Sequence, residues 1–156
     1  MRLLDLGCGA NKHQGYIGID VYPFNRVDIV RDLRRGLPFE DSSIDGIIAN
    51  HILEHFNGED LIFIVEEMWR VCRPNTEIGI TVPGHTSPNR GKDFTHKKTD
   101  WDQWSFQMWE KKDGEYLIER GPLYGIHGEF IVGSFLDMNL NMHYGLTVIK
   151  SQGATL

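Results

Sequence analysis

The chain has 156 residues, 40% of them hydrophobic and 24% charged, a size and balance that suit a single soluble domain over residues 1–156. Its formal net charge of -6 argues against nucleic acid and anionic membranes as default partners. Cys8 and Cys72 offer no disulfide framework and no apolar run nears the length of a membrane span, so a reducing cytoplasm is the expected setting.

Residues 2–6 are a short apolar run ending in a glycine turn and read as a buried first strand. Residues 16–20, 27–30 and 43–49 read as the next three. Leu61, Ile64, Val65, Met68, Val71 and Cys72 recur at helical spacing, which predicts an amphipathic helix over 58–73, stopped by Pro74. Ile78, Ile80 and Val82 then alternate in a fifth strand ending at Pro83. Strands alternating with crossovers predict an α/β, Rossmann-like, doubly wound and mostly parallel sheet, with residues 1–83 as the cofactor-binding half. Beyond Pro83 the texture changes. Residues 84–98 are polar and basic and read as a long loop, and 100–110 as a short helix rich in tryptophan. Residues 115–119, 130–135 and 144–150 read as strands, antiparallel ones closing the sheet edge. Residues 84–156 would thus supply a substrate lid and the edge strands.

Open α/β sheets bind ligands beyond the carboxyl ends of their strands, which is where Gly7 and Gly9 lie. A dinucleotide is the wrong guest for this loop. Its third glycine is replaced by Lys12, and only seven residues separate Gly9 from Ile17, too few for the usual crossover helix. Without that helix the positive pole that holds a pyrophosphate is missing, and Asp5 would repel one. S-adenosylmethionine carries a sulfonium and an ammonium and no phosphate, so nearby acids attract it. Asp20 ends the second strand, where a carboxylate can accept both ribose hydroxyl protons. Asp32 follows the third strand and could accept from the adenine amine, a helix-capping role being its alternative.

Leu3-Leu4-Asp5-Leu6-Gly7-Cys8-Gly9, followed by Gly15-Tyr16-Ile17-Gly18-Ile19-Asp20, resembles the class I S-adenosylmethionine-dependent methyltransferases, in particular their compact bacterial and viral branch. The run from Asp32 to Asp45, Asn50-His51-Ile52-Leu53-Glu54-His55-Phe56 and the ending Trp69-Arg70-Val71-Cys72-Arg73-Pro74 continue the likeness, which spans residues 3–83. The resemblance implies that Asp5, Gly7, Cys8 and Gly9 line the methionine end of the cofactor. It likewise implies that Asp20 and Val21 face ribose and adenine, Asp32 and Leu33 the adenine, and Asn50 the cofactor from the fourth strand. The family usually has capping helices before the first strand, for which Met1 leaves no room, so a second copy or a partner protein is an expected companion.

His51-Ile52-Leu53-Glu54-His55 also fits the H-x-x-E-H pattern of zinc proteases. That pattern needs a helix on both sides, whereas here a strand runs into it and Gly58 soon follows. His85, His96, His127 and His143 show no ligand spacing either and read as ordinary polar residues or substrate contacts, so no metal site is expected. His51 and His55 instead follow the fourth strand, where an acceptor would meet the methyl group, and are the candidate general bases. A structural role is the alternative for His55. The candidate acceptor contacts, in a lid over 84–110, are Arg90, Lys92, His96, Trp101 and Trp104, with packing over the sheet as the alternative for the tryptophans. The fourth strand lacks the Asn/Asp-Pro-Pro-aromatic motif of base-amine methylation, leaving an oxygen of a sugar or small molecule as the expected acceptor. A scaffold that binds the cofactor without catalysis is the alternative function.

Overall fold

Nine strands and one α-helix form among residues 1–150, the part of the chain that the computed structural model describes. In chain order they are β1 (Leu3–Leu6), β2 (Ile17–Asp20), β3 (Ile29–Val30), β4 (Gly46–Asn50), α1 (Gly58–Val71) and β5 (Glu77–Pro83), then β6 (Lys111–Lys112), β7 (Glu115–Tyr116), β8 (Glu129–Leu136) and β9 (Asn141–Ile149). Seven of them make one sheet in the order β3-β2-β1-β4-β5-β9-β8. β1 to β5 are parallel, while β9 pairs antiparallel with both β5 and β8. The order reverses between β1 and β4, the switch point at which such sheets bind ligands. Among the described residues, no helix is long and apolar enough to cross a membrane.

Strand alternation sends one set of side chains to a buried face. Leu4, Ile47, Ile78 and Leu146 stand in register across it, and Leu6, Ala49, Ile80 and Tyr144 form the next row, all 2% exposed or less. The apolar stripe of α1 (Leu61, Ile64, Val65, Met68 and Val71) joins this core. Glu59 and Asp60 favour the start of α1 and Arg70 its end, each by opposing the local pole of the helix. Trp101, Phe106, Trp109 and Tyr144 extend the core as a cluster of rings with neighbouring centroids 4.7–6.2 Å apart.

The other face carries a row of Gly18, Asp5, Ile48, Gly79, Gly145 and Gly133 in register, and the last three glycines are exposed. The β1-to-β2 connection crosses this face. A Cβ on Gly18 would meet Lys12 Cδ at 2.5 Å and Cys8 Sγ at 2.7 Å. The β3-to-β4 connection instead packs its 3-10 turn, Leu33–Arg35, against α1. The doubly wound path is therefore kept, but a loop with a lysine stem replaces the helix on the second face.

Two expectations for the second half change. The 100–110 stretch is no helix; it bridges Gly84 to Trp101 and ends in a single 3-10 turn, Gln107–Trp109, because its aromatic rings turn inward. The 115–119 strand shrinks to β7, which pairs with β6 across Asp113-Gly114. Both turn residues have positive φ, as the tightest hairpins require. Burial pushes the Cys8 thiol up to about 11 and that of Cys72 to about 12, so both cysteines are free and protonated at neutral pH.

Candidate active site

The turn after β1 gathers the first group of expected residues. Gly7 has φ +66° and Gly9 φ +53°, both in the left-handed region that favours glycine. A Cβ on Gly7 would also lie 2.5 Å from Ile52 Cγ1, whereas one on Gly9 would meet nothing within 4 Å. Gly7→Ala should therefore cost roughly 2–4 kcal/mol of stability, from backbone strain plus overpacking, and Gly9→Ala only the strain of about 1–2 kcal/mol. Urea unfolding of the two variants measures the difference, and equal losses would mean that the Ile52 contact is easily relieved.

Asp20, 9% exposed at the end of β2, accepts the Gly9 N–H on Oδ2 and the Tyr22 N–H on Oδ1, both at 2.9 Å. A carboxylate has about four acceptor sites, so each oxygen keeps one free. That leaves room for a pair of neighbouring hydroxyls. Asp5, 2% exposed, is committed differently: its Oδ2 accepts both the backbone N–H (2.8 Å) and the ring Nδ1–H (3.0 Å) of His13. Its effect on a ligand is its charge and its hold on the loop. Cys8 is buried behind the turn, and Val21 is half exposed beside it.

Asp32 takes the role named as its alternative. It caps the Leu33–Arg35 turn through the Arg34 N–H (3.0 Å), and the Arg34 guanidinium reaches Oδ2 at 2.6 Å. Those hydrogen bonds hold its carboxyl below the usual range. The Leu33 side chain is core, which leaves its backbone to face a ligand. Tyr22, singled out by no sequence pattern, is 65% exposed and stands edge-on to Phe24 beside Asp20, an open aromatic shelf.

β4 ends at the half-buried Asn50. His51 follows with φ +54°, its N–H donated to the Thr81 carbonyl at 2.8 Å. A β4 tip strained in this way is the kind of backbone feature that collects at functional sites. The half-exposed His51 ring places Nδ1 3.4 Å from Glu54 Oε1, and its interaction with that carboxylate raises the imidazole pKa. His51 and His55 do not share a helix, since Leu53–His55 is a single 3-10 turn; the zinc-protease geometry is therefore not formed. Beside Thr81 lies His143, which its place in the sequence marked only as an ordinary polar residue or a substrate contact. The His143 ring stands 3.2 Å from the Thr81 hydroxyl and 2.9 Å from Asp137 Oδ2, and Phe135 stacks on it. Only the antiparallel pairing of β9 with β5 brings His143 next to Thr81.

The segment after β5 divides. Lys97 and Lys98 donate their backbone N–H groups to the Glu54 carbonyl at 2.8 and 3.1 Å, docking residues 93–98 on the β4 tip. A recess of about 460 Å³ lined by Asn89, Lys92, Asp93, Phe94 and His96 opens there. Arg90 folds back onto the His85 carbonyl. Trp104 is 58% exposed, but Trp101 is fully buried against Phe106 and Tyr144, so the expected acceptor contact at Trp101 is corrected to core. A second cleft of about 460 Å³, lined by Lys12, Gln14, Gly15, Asn25, Arg26, Val27 and Asp28, sits before β2 and β3, at the edge opposite the glycine turn. It takes no part in this site.

The profile of the methyltransferase domain family matches residues 4–80. The fold is similar to that of a SAM-dependent methyltransferase from Aquifex aeolicus, at 14% identity over 96% of this chain and 82% of that one, with a TM-score of 0.63. It is also similar to a Haloferax volcanii protein solved in complex with the Trm112 methyltransferase activator (13% identity, 97% of this chain, 83% of that one, TM-score 0.62). A third similar structure is Haemonchus contortus phosphoethanolamine N-methyltransferase 1, in complex with phosphoethanolamine and S-adenosylhomocysteine (12% identity, 99% of this chain, 40% of that one, TM-score 0.63). No curated protein sequence matches the chain. Residues 4–80 thus match the methyltransferase domain family, and the fold is the one that S-adenosylmethionine-dependent methyltransferases share. S-adenosylmethionine is the cofactor of that family.

Proposed function

We propose that this domain transfers a methyl group from S-adenosylmethionine to an oxygen of a sugar or other small molecule. Asp20 carries the reading. Its nearly buried carboxylate, with one backbone N–H on each oxygen and one acceptor site spare on each, suits a pair of ribose hydroxyls. Gly7 and Gly9 let the methionine end approach the turn, Val21 and Tyr22 flank the adenine side, and Asn50 reaches the cofactor from β4. Leu33 offers backbone there, while Asp32 acts on the adenine only if it shares its oxygens with Arg34. When bound, S-adenosylmethionine supplies an electrophilic methyl carbon.

The chain's own work is alignment, exclusion of water and proton removal. His51, at the β4 tip with its basicity raised, accepts the proton of the acceptor hydroxyl. Lys92, His96 and Trp104 contact the acceptor from the docked 84–110 segment, with Arg90 behind them. The absence of an Asn/Asp-Pro-Pro-aromatic sequence in Asn50-His51-Ile52-Leu53 supports oxygen over base amines. The Haloferax volcanii structure, solved with the Trm112 activator, supports a partner protein or second copy as a companion of this domain. Calorimetric titration with S-adenosylhomocysteine should show one site and a raised Tm, and a panel of hydroxylated acceptors incubated with S-adenosylmethionine should yield a methylated product by mass spectrometry. Folded protein that ignores millimolar S-adenosylhomocysteine would overturn the proposal.

A further inference from the structure

Glu54 is 1% exposed, yet among the described residues its Oε2 has no hydrogen-bond partner. A buried carboxylate oxygen left bare is costly and calls for a partner. A carboxylate oxygen of Glu54 and one ring nitrogen each of His55 and His96 lie within 4.8 Å of one another. The two imidazoles meet edge to face, with centroids 4.8 Å apart.

Hydrogen bonds fix both rings. The Thr95 hydroxyl donates to Asp93 at 2.6 Å, so it receives the proton of His55 Nδ1 at 2.9 Å. His96 Nδ1 lies 3.1 Å from the Arg90 carbonyl, which can only accept. In its neutral form each imidazole then carries its proton on Nδ1 and its lone pair on Nε2, with Asp93 Oδ2 4.0 Å from His96 Nε2. Metal-binding histidines are prepared in this way, the outer nitrogen donating to an oxygen and the inner one free. The Lys97 and Lys98 N–H groups on the Glu54 carbonyl keep His96 beside the Leu53–His55 turn.

We infer that Glu54, His55 and His96 bind one divalent transition-metal ion. Two imidazoles and a carboxylate suit zinc and its neighbours better than magnesium, and three protein ligands leave a coordination position open to an oxygen ligand. With bonds of about 2.0–2.1 Å, ligands on zinc stand roughly 3.3 Å apart, so side chains now within 4.8 Å must close by up to about 1.5 Å on loading. The recess beside His96 gives the open position access to solvent and to an acceptor. That the ion would orient an acceptor hydroxyl rests on the methyl-transfer reading; its binding does not. The expectation of no metal site missed this cluster because His96 lies 41 residues beyond His55, outside any local ligand pattern.

The test uses the full chain, stripped by a chelator and titrated by calorimetry with zinc chloride or magnesium chloride, and with cobalt chloride followed by its visible absorption. One zinc per chain is expected, bound more tightly than magnesium, with a cobalt ligand-field band. In His55→Ala and His96→Ala the zinc affinity should fall roughly tenfold or more, while the exposed His127→Ala keeps it. These partly exposed positions keep the test valid even if the buried Glu54→Gln variant does not fold. Folded protein without saturable zinc binding, or unchanged affinity in both histidine variants, overturns the inference. S-adenosylhomocysteine titrated into the same samples separates the two readings. Its binding without a zinc site removes this inference alone, and a zinc site without its binding removes the methyl-transfer reading alone.

Discussion

Asp20→Ala is expected to weaken S-adenosylhomocysteine binding by roughly a hundredfold or more while the chain stays folded. Two ribose hydroxyls on a charged acceptor contribute about 1.5–3 kcal/mol each, and every 1.4 kcal/mol or so is a factor of ten in affinity. The same substitution removes the acceptor of the Gly9 and Tyr22 N–H groups, so the turn also loses its preorganisation. Part of the loss should therefore appear in the free protein as a small fall in Tm. Asp20→Asn should lie between wild type and alanine. Its amide keeps one accepting oxygen but turns an NH2 toward one of the two backbone donors. Calorimetry on the three proteins checks the order, and an Asp20→Ala variant that binds like wild type would mean the ligand does not use this carboxylate.

The first half of the fold was legible because its signals are local. Period-2 and helical apolar spacing marked β1, β2, β4, α1 and β5, and the glycine turn with Asp20 marked the ligand edge. What escaped depends on partners far away in sequence or on competition close by. Asp32 looked free for an adenine, but Arg34, two residues on, and the cap of its own turn claim both carboxylate oxygens. His143 reaches the site only through the β5–β9 register, and His96 only because residues 93–98 dock on the Glu54 carbonyl. The second face shows the same limit. A seven-residue link from Gly9 to Ile17 excluded a crossover helix, but nothing in the link announced that Lys12 would lie over Gly18.

Trp101 and Trp104 are three residues apart and were indistinguishable in sequence, yet their replacement by alanine should give opposite results. Trp101 is fully buried, its Nε1–H donates to the Lys98 carbonyl at 3.1 Å, and its ring packs against Phe106 and Tyr144. Truncating such a ring leaves a cavity and costs about 3–5 kcal/mol, which in a domain of this size lowers Tm by roughly 6–20 °C. Because Trp101 also bridges to Gly84 and receives the His85 N–H on its carbonyl at 2.8 Å, the loss should loosen the start of the segment that carries Arg90, Lys92 and His96. Trp104 is 58% exposed, so Trp104→Ala should stay within about 0.5 kcal/mol of wild type. Any deficit in that variant should then appear as weaker acceptor binding, with S-adenosylhomocysteine affinity unchanged. Thermal and urea unfolding of both variants decide between core and surface. A Trp101→Ala protein as stable as wild type but impaired toward acceptor would return that ring to the binding surface, and a large stability loss in Trp104→Ala would remove Trp104 from it.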